Sequence, residues 1–124
     1  MTPRLIADEN TSHHLVAACG KLAPAFPLQH LADWQNGRAL GLKDGPLLLT
    51  LRESGLIFVS FDRRTLADEA GRLSREGLGH AGVILFRRLI PATAYERQAD
   101  LLTALWRDAQ TWDWADRIVY LPTT

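Results

Sequence analysis

The chain of 124 residues is poor in cysteine and has no long apolar run, and each shortage excludes a class of protein. Its one cysteine, Cys19, cannot form an internal disulfide and has no thiol partner for a metal site, so we interpret it as a buried apolar side chain. No apolar run approaches the roughly 20 residues that span a bilayer. The segment from Met1 to Asn10 carries acids where a signal peptide would be apolar. We therefore expect a cytoplasmic protein with no membrane segment.

The chain also has no net charge, because 14 basic residues balance 14 acidic ones. A strongly basic molecule of the kind that binds nucleic acid non-specifically is excluded, and any nucleic-acid contact has to be local. Most of the basic residues are arginines, which suit bidentate phosphate contacts. The pairs Arg63-Arg64 and Arg87-Arg88 each follow a predicted strand. Each pair either contacts phosphate or lies on the solvated surface.

Length and composition, with 47% hydrophobic and 23% charged residues, indicate one globular domain over residues 1–124. Short apolar runs alternate with longer periodic segments, which is typical of βαβ units. The predicted strands cover residues 4–7, 26–31, 56–61, 83–86 and 117–121, and the predicted helices begin near residues 12, 44, 65 and 91. We predict a three-layer α/β/α sandwich around a mostly parallel sheet of about five strands, with residues 32–43 as a surface loop.

Three aspartates are placed to meet at one edge of this sheet. Asp8 follows the first predicted strand and Asp62 follows the third. Right-handed crossovers bring the carboxyl ends of parallel strands to the same edge. Asp44 opens the helix that leads into the third strand. About ten residues of helix cover roughly 15 Å, close to the length of a five-residue strand, so the start of this helix returns to that edge.

Carboxylates that lie close together repel one another and either take up protons or recruit a cation. Magnesium is held by one or two carboxylates and several waters, and manganese accepts the same oxygen ligands. Such an ion lowers the pKa of a bound water and stabilises the charge that develops on a phosphodiester during in-line attack. Each acid also has a structural interpretation, Asp44 as a helix cap and Asp8 and Asp62 as turn residues.

Three segments resemble the signature blocks of PIN-like domains. They are Leu5-Ile6-Ala7-Asp8-Glu9-Asn10, Asp44 before a leucine-rich helix, and Ile57-Phe58-Val59-Ser60-Phe61-Asp62-Arg63-Arg64. A later strand at residues 81–86 also fits, so the resemblance covers nearly the whole chain. The chain is most similar to a compact PIN-like group that is related to VapC-type toxins and often encoded beside antitoxins. This resemblance implies a PIN-type fold, metal-dependent endoribonuclease activity, inhibition by a cognate antitoxin in many members, and frequent homodimers.

The resemblance also implies roles for individual residues. Asp8, Asp44 and Asp62 match the catalytic acids that bind Mg²⁺ or Mn²⁺. Asn10 matches the polar residue that accompanies the first block, and with Arg63 and Arg64 it forms the predicted RNA-binding set. Many active members carry a further acid shortly after the position of Asp62, where Arg64 and Thr65 stand here. Asp68, or else Glu69, is expected to replace it, with Asp68 as the fourth predicted metal ligand.

Two other functions are open from the sequence. A phospho-receiver domain also places acids after two strands, but it needs a lysine near the end of its last strand, where neither Lys21 nor Lys43 can lie. The second is a PIN-like scaffold without catalysis that binds a protein or RNA partner.

Two histidines and one tryptophan have both structural and functional interpretations. His13 and His14 begin the first helix, where one of them contacts phosphate or both lie on the surface, because neighbouring helical positions cannot both face the site. Trp34 either packs in the core or stacks on a base.

Overall fold

The computed structural model describes residues 3–61 and 64–123, and within them the chain is a three-layer α/β/α sandwich around one parallel sheet. In chain order the elements are β1 (Arg4–Ala7), α1 (His13–Leu22), β2 (Leu28–His30), a 3-10 helix (Leu31–Gly37), α2 (Asp44–Glu53), β3 (Leu56–Ser60), α3 (Thr65–Arg75), β4 (Val83–Phe86), α4 (Tyr95–Ala109) and β5 (Ile118–Leu121). The predicted fold class and five-stranded sheet are confirmed. No helix in the described part of the chain is long and apolar enough to cross a membrane.

The order of the strands in the sheet is β2-β1-β3-β4-β5. Ala7 in β1 lies in register with His30 of β2 on one side and with Val59 of β3 on the other. The chain moves from β1 to β2 and then crosses back to the opposite side of β1, so the order reverses between β1 and β3. Open parallel sheets bind ligands in the crevice at the carboxyl ends of the strands at such a point.

The hydrophobic core has two layers, one on each face of the sheet. The strands contribute residues to both layers, because successive strand residues point to opposite faces. Leu5 and Ile57 belong to the layer that includes residues of α1 and α4. Ile6 and Phe58 belong to the layer that includes residues of α2 and α3. All five residues of β3 are buried, as expected for a central strand that is covered on both faces.

Helix α1 runs past Gly20 to Leu22. A glycine inside a helix costs about 1 kcal/mol relative to alanine. The neighbouring residue Cys19 and Leu15 are buried in the layer shared with α4, and this packing outweighs the local preference. Burial raises the pKa of the Cys19 thiol to about 12, so Cys19 is a neutral apolar side chain, as predicted.

Helix α4 begins at Tyr95, four residues after the predicted start at Pro91. The Ala94 N–H donates to the Pro91 carbonyl (3.1 Å), and the side-chain Nε2 of Gln98 donates to the same carbonyl (2.8 Å). These bonds close a turn over residues 91–94 ahead of the helix. The prediction followed the common place of proline in the first helical turn.

The predicted surface loop over residues 32–43 begins inside a 3-10 helix that extends to Gly37. Trp34 is only 7% exposed and packs in the layer shared with α2 and α3. The structure therefore supports the packing interpretation of Trp34.

Two loops at the amino edge of the sheet are joined through His80, which is buried. Its Nδ1 accepts a hydrogen bond from the Gly82 N–H (3.0 Å), and its backbone N–H donates to Asp116 Oδ1 (3.2 Å). Because Nδ1 is an acceptor, the ring is neutral and carries its proton on Nε2. Burial lowers the pKa of His80, against the opposing effect of the Asp116 charge.

We expect the free energy of unfolding to fall as the pH drops from 7 towards 5. The unfolded chain protonates His80 near pH 6.5, whereas the pKa of His80 in the folded protein is lower. The stabilisation from the neutral His80 ring is thus fully present above the pKa of His80 in the unfolded chain. It is lost as the pH falls from that value through the lower pKa of His80 in the folded protein. Urea unfolding at several pH values measures this slope.

The matched variant for this prediction is His80→Asn, which keeps an acceptor for the Gly82 N–H and does not titrate. Its pH slope between 7 and 5 should be smaller than that of the wild type. Equal slopes would contradict the role of His80.

Candidate functional site

Asp8 is the first residue beyond β1 and lies at the crevice between β1 and β3. Its backbone N–H donates to the Val59 carbonyl (2.9 Å), which extends the pairing of the two strands by one residue. Its carboxylate Oδ2 accepts a hydrogen bond from Ser60 Oγ (2.8 Å) at the end of β3. Since Ser60 is fully buried, this bond fixes the orientation of the Asp8 carboxylate.

Burial raises the pKa of the Asp8 carboxyl group above its ordinary value. The Ser60 hydroxyl and the backbone amides of Glu9 and Asn10 stabilise the charged form and oppose the rise, whereas the negative charge of Glu9 adds to it. A carboxylate in these surroundings is stabilised by a proton or by a nearby cation. The crevice therefore favours uptake of one or the other at Asp8.

Asp44 is the first residue of α2 and follows Lys43, which occupies the N-cap position predicted for Asp44 itself. The end of α2 leads through Gly55 into β3, so the start of α2 lies towards the carboxyl edge. The Gly41 N–H donates to Glu9 Oε1 (3.4 Å), which joins the loop after β1 to the loop before Asp44. The loop that contains Asp8 and the loop that leads into Asp44 are thus neighbours at one edge of the sheet.

Helix α3 brings two further acids towards this edge. The Glu69 side chain lies against the start of α2, where a Cβ atom on Gly45 would come within 2.7 Å of Glu69 Oε1. Arg72 Nε donates to the same oxygen (2.8 Å), and this bond holds the pKa of Glu69 below its usual value. Asp68 lies exposed in the first turn of α3. Because Arg72 already balances the charge of Glu69, Asp68 is the better candidate to replace the further acid that was expected shortly after Asp62.

The structure describes most of the predicted site residues. Asp8, Asn10, Asp44, Arg64 and Asp68 lie in loops or first helical turns at the carboxyl edge. Asp62 and Arg63 lie outside the described residues. Over residues 3–61 and 64–123, no three His, Cys, Asp or Glu side chains are grouped so as to hold a metal ion. The centre formed with Asp62 stays a prediction.

The role of Ser60 was not predicted, although the sequence contains a signal for it. Ser60 is the one polar residue in the apolar run of β3. It follows Val59, which is in register with Ala7, so it lies beside the residue that follows Ala7, which is Asp8. The side chain of Glu9 is exposed and accepts the bond from the Gly41 N–H.

Comparison with family models, with curated proteins and with solved structures gives no match to this chain. The resemblance to PIN-like domains is therefore carried by the sequence alone, in the segments at residues 5–10, 44, 57–64 and 81–86. The chemistry of the carboxyl edge has to be inferred from the residues that lie there.

We expect Asp8→Asn to raise the free energy of unfolding at pH 7 in metal-free buffer, by up to about 1 kcal/mol. The amide keeps an acceptor for the Ser60 hydroxyl and removes the buried charge. Because the pKa of Asp8 is higher in the folded protein, folding favours the protonated acid. The stabilisation from the protonated Asp8 carboxyl group is fully present below the pKa of Asp8 in the unfolded chain. It is lost as the pH rises through the pKa of Asp8 in the folded protein.

Urea unfolding of the wild type and the variant at pH 7 and near pH 4 measures this difference. The advantage of Asp8→Asn should shrink at the lower pH. A variant that is less stable than the wild type at pH 7 would show that the charge of Asp8 is not a cost to the fold.

Proposed function

We propose that this chain is a PIN-like, Mg²⁺- or Mn²⁺-dependent endoribonuclease that hydrolyses RNA phosphodiester bonds at the carboxyl edge of its sheet. The observation that carries this proposal is the Asp8 carboxylate, which lies where the strand order reverses and is held by Ser60 of the neighbouring strand. Parallel α/β sheets bind ligands at this place. The raised pKa of Asp8 favours a cation beside it.

In the proposal, the metal site consists of carboxylates from the loops and helix starts at the carboxyl edge. Asp8, Asp44, Asp62 and Asp68 would hold the ion, and a set of oxygen ligands suits magnesium or manganese. When bound, the ion would activate a water and stabilise the charge on the phosphate. Ser60 keeps the Asp8 carboxylate in one orientation, which is the role that partners of metal ligands commonly have.

The same edge suits a phosphate-bearing substrate. Each of the helices α1 to α4 connects one strand to the next parallel strand, so each begins at the carboxyl edge. The N-terminus of a helix attracts anions through its backbone N–H groups and its dipole. Arg64 precedes α3 and is exposed there. In the proposal, Asn10, Arg63 and Arg64 contact the phosphates of the RNA.

We further propose that the protein is the toxin of a toxin-antitoxin pair and acts in the cytoplasm, with a cognate antitoxin as partner and a homodimer as its assembly. This part of the proposal rests on the sequence resemblance. Purified protein that is free of antitoxin is therefore the correct material for an activity test.

A second candidate function is a non-catalytic PIN-like module that binds a protein or RNA. A groove of about 360 Å³ between α1 and α4 supports it. Lys21 lines one wall, Glu96 and Asp100 line the other, and the neighbouring Leu22 is 53% exposed. This groove does not include Asp8, so it can serve a binding function without the acids.

The phospho-receiver alternative is not favoured. The observed strand order is the flavodoxin-like order, and so does not by itself exclude a receiver. The last strand, however, ends in Tyr120 and Leu121, whereas a receiver needs a lysine there.

We expect the purified protein to cleave single-stranded RNA only with added Mg²⁺ or Mn²⁺. Asp8→Asn and Asp44→Asn should each lower the rate by at least about 100-fold, and Ser60→Ala by about 10- to 100-fold because it frees the Asp8 carboxylate. Asp108→Asn, in the last turn of α4, is the matched control and should cleave at the wild-type rate. Gel assays of end-labelled RNA give these rates.

Cleavage that persists in EDTA, or that survives Asp8→Asn, would contradict the proposal. RNA binding without any cleavage, in protein shown to be folded, would favour the non-catalytic module instead.

A further inference from the structure

The side chains of His13 and Asp33 lie next to each other at the carboxyl edge. His13 Nε2 lies 3.3 Å from Asp33 Oδ2. The His13 ring also stacks on the ring of His30, with the centroids 3.8 Å apart and the planes inclined by 16°. Contacts from the 3-10 helix and from β2 thus hold an imidazole that is still 62% exposed. A side chain that is both oriented and accessible is suited to act on a bound substrate.

His30 is the support for this pair and is itself buried. Its Nδ1 accepts a hydrogen bond from the Ala32 N–H (3.0 Å), and its Nε2 lies 2.6 Å from the Thr11 carbonyl oxygen. Because Nδ1 is an acceptor, the proton is on Nε2, which donates to Thr11. Both ring nitrogens of His30 are therefore engaged in the fold, and its plane is fixed for His13 to stack on.

A short series of contacts connects the pair to Asp8. The Thr11 N–H donates to the Asp8 carbonyl (2.9 Å), and the Thr11 carbonyl accepts the bond from His30. His30 is also in register with Ala7 on the neighbouring strand, and such strands are about 5 Å apart. The pair is therefore only one strand and one loop away from Asp8.

His14, the next residue, faces a different element. Its ring lies 5.0 Å from the ring of Tyr95 at the start of α4. Of the two adjacent histidines, His13 alone makes the contacts with Asp33 and His30. His14 is therefore a matched control for His13.

We propose that His13, oriented by Asp33, is the general acid of the RNA hydrolysis proposed above, and this inference rests on that proposed function. The attacking water forms a bond to phosphorus and loses a proton to solvent. The bond from phosphorus to the leaving ribose oxygen breaks, and its electron pair goes to that oxygen, which takes a proton from the His13 imidazolium. His13 then regains a proton from solvent. In this step the Asp33 carboxylate, 3.3 Å from Nε2, stabilises the imidazolium by its charge, and Nδ1–H is the donor.

The test compares two substrates that differ in their need for an acid. One is single-stranded RNA, whose ribose leaving group needs a proton. The other is bis(p-nitrophenyl) phosphate, whose phenolate leaves without one. His13→Gln should lower kcat on RNA by about 100-fold or more, in the range of general acid catalysis, with KM unchanged. Its rate on the aryl ester should equal that of the wild type.

Two further results are expected. His14→Gln should match the wild type on both substrates. In the metal-free protein, imidazole ¹⁵N shifts should place the proton of neutral His13 on Nε2, and Asp33→Asn should weaken this preference.

Unchanged RNA cleavage in His13→Gln would overturn the inference, as would equal losses on both substrates, since these indicate a role in structure or binding. If the wild type itself shows no metal-dependent cleavage of either substrate, the proposed function fails and the inference fails with it. The two failures are distinguishable because cleavage of the aryl ester by the wild type depends on the carboxylates of the proposed metal site and does not need a proton from His13.

Discussion

The hydrogen bond from Ser60 to Asp8 joins the two strands between which the order of the sheet reverses, and the candidate site depends on it. The parallel direction of all the strands brings the loop after β1, the end of β3 and the first turns of the helices to one edge. At that edge the bond holds the carboxylate of Asp8 in one orientation. Its burial raises the pKa of Asp8, so the arrangement is most stable with a proton or a cation beside it.

The two edges of the sheet use buried polar residues in different ways. At the amino edge, the backbone N–H and Nδ1 of His80 and the carboxylate of Asp116 form hydrogen bonds that close the fold, whereas the buried Nε2 of His80 has no partner among the described residues. At the carboxyl edge, the half-buried carboxylate of Asp8 has no balancing cation among the contacts recorded over residues 3–61 and 64–123. Functional sites commonly accept such a cost in stability. This contrast is the physical reason for placing the chemistry at the carboxyl edge.

Much of the fold follows from local signals in the sequence. Strands β1 and β4 were predicted to the residue, because each is a short apolar run between turn signals. The start of α4 was misplaced because residues 91–94 form a turn, which the Ala94 N–H and the Gln98 side chain close on the Pro91 carbonyl. Crossover geometry predicted the edge where Asp8 lies. It did not predict the bond from Ser60, which depends on strand register and side-chain rotamer.

Calorimetric titration of Mn²⁺ into the wild type and into Asp8→Asn tests the central claim most directly. If the crevice holds a divalent ion, the wild type should bind Mn²⁺ and release protons at mildly acidic pH, because binding requires the raised-pKa carboxyl group of Asp8 to be ionised. The Asp8→Asn protein should show neither the binding heat nor the proton release. Identical heats for the two proteins would contradict a cation site at Asp8 and, with it, the function proposed for this edge of the sheet.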